Sequence, residues 1–387
     1  MRRKIGLLSL VAVVALVGAA CGGSSDNNNG GNTGTTGNAT GGTTGQKQIT
    51  AAWIYVGSKS DAGWTQQHDL GRQAVAKEFG DKVKTIYKEN VPEGPQTASA
   101  INALINQGAD IIFSTSFGFQ DAMAAAAKQH PDIKFEQATG TALSDNMSEY
   151  FGAGEDADYL SGMAAGYATK NGKIGYVAPF PIPEVIREID AYTTGAQYVH
   201  PDATVQVVWT NSWFDPQKET QAAQSLVSSG VDVLGDGVDD PAVGEVAQKA
   251  GIKWTGYDSD QGQFAPDAFQ TATSYNWAPY YTQEVKSVLD GTWKSGFHYG
   301  SIADGMIDIA PFGKTVTQEA QDAINKRKDE IKAGTFNPFT GPLTKQDGSV
   351  GLAAGDTLPV YDTANPETPS KYNIDWFVKG VIGSPTG

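Results

Sequence analysis

The turns that follow strand-like runs hold most of the side chains able to recognise a small molecule. The stretch SDAGWTQQ, residues 60–67, sets the indole of Trp64 in a polar, small-residue turn ahead of a helical segment, with Asp61 and Thr65 beside it. Rings of this size usually go to cores, where each buries roughly 150–250 Å². Similar turns offer Ser114, Thr115, Ser116 and Phe117 in STSFGFQD, Glu155 in GAGED, and Phe180 in APFPIPE. Further along come Asn211, Trp213 and Asp215 in NSWFDP, Asp236, Asp239 and Asp240 in DGVDDP, and Asp258 and Asp260 in GYDSDQG. Asn276 and Trp277 follow in TSYNWAPYY. Aromatic faces stack on flat rings, and carboxylates accept strong charge-assisted hydrogen bonds from ring N–H and amine groups.

Several of these have a purely structural alternative. Asp215 precedes Pro216 and reads first as a helix N-cap; Asp240 precedes Pro241 and reads equally as cap or ligand group. Asp258 and Asp260 open a D-x-D-x-G pattern, but the twelfth position is Phe269, which argues against an EF-hand. At the end of a strand, Asp258 instead faces a cleft mouth. Trp53, Trp209 and Trp254 lie inside strand-like runs and are expected in the core. The four histidines, at 68, 130, 200 and 298, have no metal-ligand spacing, and only His68, one turn after Trp64, is a candidate for the site. No G-x-S-x-G elbow, Walker loop or helix-opening G-x-G-x-x-G is present. The chemistry favoured is binding without turnover, and no cofactor or metal is expected.

These turns need elements to hold them. Strand-length apolar runs at 51–56, 83–87, 110–114, 174–177, 204–209, 231–234 and 252–256 alternate with helical stretches such as 97–107 and 217–229. Such alternation predicts an α/β fold with parallel sheets covered on both faces. The segment from Asn90 to Phe113 lines up with the one from Asn211 to Gly235: Asn90, Pro95, Gln96, Leu104, Gly108 and Asp110 fall on Asn211, Pro216, Gln217, Leu226, Gly230 and Asp232. This is either a common α/β phrase used twice or two copies of one unit. Two copies meeting along the carboxyl ends of their strands would leave a cleft there. Trp64 and Phe180 would then enter it from opposite walls and grip a flat ring.

The 387-residue chain is long enough for two lobes with their own cores. Its net charge of −15, with 43 acidic residues against 28 Lys and Arg, argues against nucleic acid. Arg2, Arg3 and Lys4, an apolar run to Val17 and Gly18-Ala19-Ala20 before Cys21 have the layout of a secretory leader. The lone cysteine after small residues resembles a bacterial lipobox, with Gly18 where Leu is usual; a plain secretory signal is the alternative. Lipidation of Cys21 would leave no thiol for a disulfide or metal. Residues 22–45 are almost all Gly, Ser, Asn and Thr, a flexible tether reaching roughly 25–30 Å.

Together with the lipobox and tether, SDAGWTQQHDLG, TSFGF, YVAPFPIPEVIR, NSWFDPQKE, GYDSDQ, YNWAPYYTQEVKSVLDGTWKS, NPFTGPL and IDWFVKGV resemble the basic membrane protein family. These are substrate-binding lipoproteins of ABC importers, and the likeness runs from about Gln48 to Gly383. It implies a type I periplasmic-binding-protein-like fold, two Rossmann-like lobes joined by a three-crossover hinge. The expected divisions are a leader at 1–21, a tether at 22–46, lobe 1 at 47–172 plus about 278–305, and lobe 2 at 173–277 plus about 306–387. With the turn readings above, the expected ligand-binding set is Trp64, Asp61, Thr65, Phe117, Glu155, Phe180, Trp213, Asp240, Asp258, Asn276 and Trp277. The ligand is expected to be a purine base, adenine- or hypoxanthine-like, or a purine nucleoside. The lysine that nucleoside-binding members carry near the third crossover is replaced by Asn276-Trp277, which favours a bare base. The resemblance also implies ABC permease partners, a lipid anchor outside the cytoplasm and a monomer. Other readings are a binding protein for a sugar, riboflavin or a signalling furanone, or a purine nucleoside hydrolase using Glu155 or Asp258.

Overall fold

A computed structural model describes residues 48–387. The leader, Cys21 and the tether lie outside the described residues. The chain opens as an alternating unit: β1 (Ile49–Ile54), α1 (Trp64–Phe79), β2 (Val83–Lys88), α2 (Pro95–Ile105), β3 (Ile111–Ser114), α3 (Gln120–Gln129), β4 (Lys134–Ala138) and β5 (Met147–Gly152). A second unit follows with α4 (Gly154–Ala168), β6 (Lys173–Ala178), α5 (Pro183–Val199), β7 (Thr204–Trp209), α6 (Pro216–Ser228), β8 (Val233–Asp236), α7 (Ala242–Ala250), β9 (Lys253–Gly256) and β10 (Phe269–Tyr275). The remainder supplies α8 (Ala278–Asp290), β11 (Phe297–Gly300), β12 (Ile307–Ile309), α9 (Gln318–Lys332), the short pair β13 (Leu343–Thr344) and β14 (Val350–Leu352), and β15 (Val381–Ile382).

Two sheets result. The first runs β11-β5-β4-β3-β1-β2 and is parallel throughout; the second runs β12-β10-β9-β8-β6-β7-β15 and is parallel except for β12. Both share the core order second-first-third-fourth-fifth strand of their unit. β11 returns to the first sheet after α8, so the chain crosses between the sheets more than once. The fold is the α/β architecture expected.

The sequence echo is expressed in the backbone. Asn90 and Asn211 both adopt a left-handed conformation, φ +56° and +52°, and Pro95 and Pro216 both open helices. Gly108 and Gly230, at φ +84° and +92°, turn the chain into β3 and β8. Left-handed turns favour Asn and Gly, and Pro is preset for the first helical turn, so the shared residue types encode a shared path.

Helices α4 and α5 are buried along most of their length and pack on each other. Gly162 and Gly195 make this possible: a Cβ on either would run into the backbone carbonyl of Tyr192 or Tyr159 on the facing helix. Helix α4 also packs on β9, β10 and β12 of the second sheet and on α9. Trp53 and Trp254 are fully buried, as their strand positions predict. A ring cluster of Trp53, Phe113, Tyr150, Tyr281, His68 and Trp277 fills the space between the first sheet and helices α1 and α8.

Candidate functional site

A narrow cavity lies where the carboxyl ends of the two sheets meet. From the first sheet it is lined by Val56 after β1, Trp64 at the start of α1, Thr115, Ser116 and Phe117 after β3, and Thr139 after β4. From the second come Glu184 in the first turn of α5, Trp213 after β7, Asp239 after β8 and Tyr257 after β9. Each residue occupies the strand-end position at which open α/β sheets bind ligands.

Trp64 is held rigidly. Its Nε1 donates to the Thr115 carbonyl at 2.6 Å, and its ring meets His68, Trp277 and Tyr275 edge-on at centroid distances of 4.5, 5.3 and 5.4 Å. Trp213 forms part of the opposite wall and rests on Phe180, with ring centroids 5.2 Å apart. Phe180 itself is not among the lining side chains, so the second ring facing the cavity is Trp213. Phe117 is the exposed aromatic at the mouth.

The acidic lining differs from the sequence expectation. Asp239, not Asp240, faces the cavity; Asp240 accepts from the Ala242 N–H and caps α7. Glu184, from the APFPIPE turn, is the second carboxylate, and its buried Oε2 has no hydrogen-bond partner. Burial pushes the Glu184 carboxyl up to about 7, with Arg187 pulling it down and Glu93 pushing it up. Burial also raises Asp239 well above the usual range, reinforced by Asp61, Glu219, Asp240 and Glu184. None of the lining residues is Lys, Arg or His.

The other expected residues have structural partners. Asp61 accepts from the backbone N–H groups of Gly63, Thr65 and Gln66 at 2.8–3.0 Å, capping α1, and with Thr65 it sits behind Trp64 rather than in the cavity. Glu155 is fully buried and engaged: Lys371 Nζ and the Tyr299 hydroxyl donate to it at 2.5 and 2.6 Å, and Arg187 lies 3.5 Å away. Burial alone would raise this carboxyl, but Lys371 and Arg187 outweigh it and hold it below the usual range. Asn276 is exposed and caps α8, while Trp277 is core, stacked between His68 at 4.3 Å and Tyr275 at 5.1 Å. His68 is equally buried and bonds the Tyr281 hydroxyl at 2.6 Å.

Asp258 lies one layer behind the lining. Neither carboxylate oxygen has a hydrogen-bond partner, its φ is +66°, and burial raises its pKa, with Asp239 and Asp61 adding to the shift. Of the lining residues that the sequence reading did not offer, Thr139 and Tyr257 directly follow strands, Val56 lies two residues after β1, and Glu184 lies in the first turn of α5. Position after a strand end was the signal that could have found the first three. Among the described residues no group of three or more His, Cys, Asp or Glu is placed to hold a metal ion, and no helix is long and apolar enough to cross a membrane.

A family model described as ABC transporter substrate-binding protein PnrA-like matches residues 48–337. The chain is 42% identical over 316 residues to a purine-binding protein of Brucella abortus, covering 82% of this chain and 90% of that one. It is 36% identical over 302 residues to a Haloferax volcanii protein bearing the name of an ABC transporter glucose-binding protein, covering 78% and 76%. Among solved structures it resembles an ABC transporter solute-binding protein from Aeropyrum pernix, with a TM-score of 0.66 at 17% identity over 75% of this chain and 92% of that one. At that identity the likeness is one of fold.

Proposed function

Because the chain belongs to the Bmp family of PnrA-like ABC transporter substrate-binding proteins, we propose that it delivers a purine base, or the corresponding nucleoside, to an ABC permease at the outer face of the membrane. The observation that carries this reading is the pairing of aromatic walls, Trp64, Trp213 and Phe117, with two unpaired carboxylates, Asp239 and Glu184, in one narrow cavity. Stacking on aromatic rings is worth ~1–3 kcal/mol per base. Carboxylates supply strong acceptors for ring N–H and amino groups. The name of the Brucella relative supports the same ligand class.

The cavity sits where two lobes meet, so closure would bury the ligand and present the permease with a surface the open form lacks. The lobes correspond to the two sheets with their helices. Cys21 is the proposed lipid attachment point and residues 22–46 the tether. The proposed role is binding without turnover.

Calorimetric titration of the purified protein with adenine, hypoxanthine, guanine, adenosine and glucose tests the reading. Saturable one-to-one binding of at least one purine is expected. Heat from glucose and none from any purine would transfer the protein to the sugar-binding reading that the Haloferax relative's name suggests.

A further inference from the structure

The family match ends at residue 337, and the segment beyond it lies across both lobes. Its last part is fixed to the second sheet and to α5. β15 pairs with β7, the Val378 N–H donates to Asp190 at 2.8 Å, and Gln197 Nε2 donates to the Lys379 carbonyl at 3.0 Å. Trp209 Nε1, at the end of β7, donates to the Ser384 carbonyl at 2.9 Å. The part before it rests on the first sheet. Tyr372 meets Phe297 and Tyr299 of β11 at ring-centroid distances of 5.2 and 5.9 Å, and Tyr361 meets Phe297 at 5.5 Å. The Arg187 guanidinium of α5 lies 5.2 Å from the centroid of the same Tyr372 ring.

Tyr372 also reaches the cleft. It lines a second chamber with Phe117, Gln120 and Thr139 of the first lobe and Glu184 and Arg187 of the second. Three of these, Phe117, Thr139 and Glu184, line the cavity as well. One side chain of the C-terminal segment therefore touches both lobes beside the ligand site. Residues 378–384 are held to the second lobe by hydrogen bonds, so moving β11 away from α5 would separate Tyr372 from the rings of β11 or from Arg187. Ring pairs at these distances are attractive, and so is a cation near a ring. We infer that the C-terminal segment is a strap that holds the lobes closed over the cavity, with Tyr361 and Tyr372 on β11 as its releasable end. The strap presupposes the two-lobe closure proposed above and is indifferent to the identity of the ligand. By favouring the closed form it raises the apparent affinity for any ligand that binds that form.

The test compares the full chain with Tyr361→Ala and with Tyr372→Ala, circular dichroism confirming that each is folded. Tyr361 lines neither chamber, so its effect on a ligand passes through the strap. Small-angle scattering without ligand is expected to give a larger radius of gyration for both variants than for the unsubstituted protein. With adenine as the probe, and the fluorescence of Trp64 and Trp213 as reporter, dissociation should be about tenfold faster from both. Equal radii in the three folded proteins overturn the inference. Faster adenine release from Tyr372→Ala alone also overturns it and makes Tyr372 a ligand contact instead. Absence of any adenine signal fails the purine reading and leaves the scattering comparison to decide the strap.

Discussion

The hydroxyl of Ser259 donates to the carbonyl of Ala62 at 2.5 Å, joining the loop after β9 of the second sheet to the loop after β1 of the first. Gln261 reaches the same carbonyl at 3.4 Å and the Asp239 carbonyl at 3.3 Å. Next in line, Gly63 packs so closely on the Asp239 backbone that an added Cβ would overlap its carbonyl oxygen. These contacts tie the two lobes together beside the cavity, with Trp64 following directly on one side and Asp239 lying on the other.

Closure and affinity are therefore linked, because apparent affinity falls with the fraction of molecules able to adopt the bound form. Ser259→Ala removes one cross-lobe hydrogen bond, worth about 0.5–1.5 kcal/mol, and should weaken ligand binding ~2- to 10-fold. Gly63→Ala should cost more, about 1–3 kcal/mol, since the obstructing atom is backbone and cannot swing aside. Titration gives the affinities, and small-angle scattering of the liganded variants should report a larger radius for Gly63→Ala. Unchanged affinity in both would mean that the contact has no part in closure.

The aromatic wall predicts an order of effects. Trp213 faces the cavity and Phe180 supports it from behind. Trp213→Ala should weaken purine binding by ~1–3 kcal/mol, the stacking scale, with little loss of stability because the residue is only half-buried. Phe180→Ala should cost less than about 1 kcal/mol, acting only through the freedom it gives Trp213. The reverse order would put Phe180 against the ligand. Trp64→Ala should lower both affinity and melting temperature, since this ring also belongs to the cluster around His68 and Trp277.

Most of the fold was legible from residue types. Asn, Pro and Gly mark equivalent turns in both units, and the apolar runs of β1, β3, β6 and β8 stand out. Strands β4, β5 and β10 did not, because polar side chains with tertiary partners interrupt them. Glu136 takes hydrogen bonds from Tyr280 and Trp293, Gln137 from Ser114, and Thr273 donates to Asp158. The site was legible as a set of turns rather than as a set of side chains. Trp64, Phe117 and Trp213 do line the cavity, whereas Asp61, Asp240 and Asn276 are occupied by local capping that any strand-to-helix turn could demand. Glu155 could not be resolved from sequence, since its partners Arg187 and Lys371 reach it only through tertiary folding.

Buried carboxylates make stability depend on pH in an unusual direction. Burial raises Glu136 to about 8, Glu149 to about 9 and Glu219 to about 8, from an ordinary 4.5. Between 4.5 and those values the folded chain keeps protons that the unfolded chain has released. Stability contributed by these groups is therefore greatest below 4.5 and declines as pH rises toward 9. Calorimetric melting temperature should fall steadily from pH 5 to pH 9, and Glu149→Gln should flatten the slope. A melting temperature that rises over that range would show that these groups do not retain their protons.

The ion cluster at Glu155 should separate stability from recognition. Arg187 and Lys371 are both nearly inaccessible, and Glu155 offsets their charge at the start of α4. Removing one partner of a buried pair leaves uncompensated charge and typically costs about 3–5 kcal/mol. Glu155→Gln keeps the shape and one acceptor, so the loss should fall toward the lower end of that range. The carboxylate does not line the cavity, so purine affinity of the folded variant should stay within about twofold, equivalent to ~0.4 kcal/mol. Denaturant unfolding and titration measured on the same sample distinguish the outcomes. A large loss of affinity with unchanged stability would return Glu155 to the ligand, where the family resemblance first placed it.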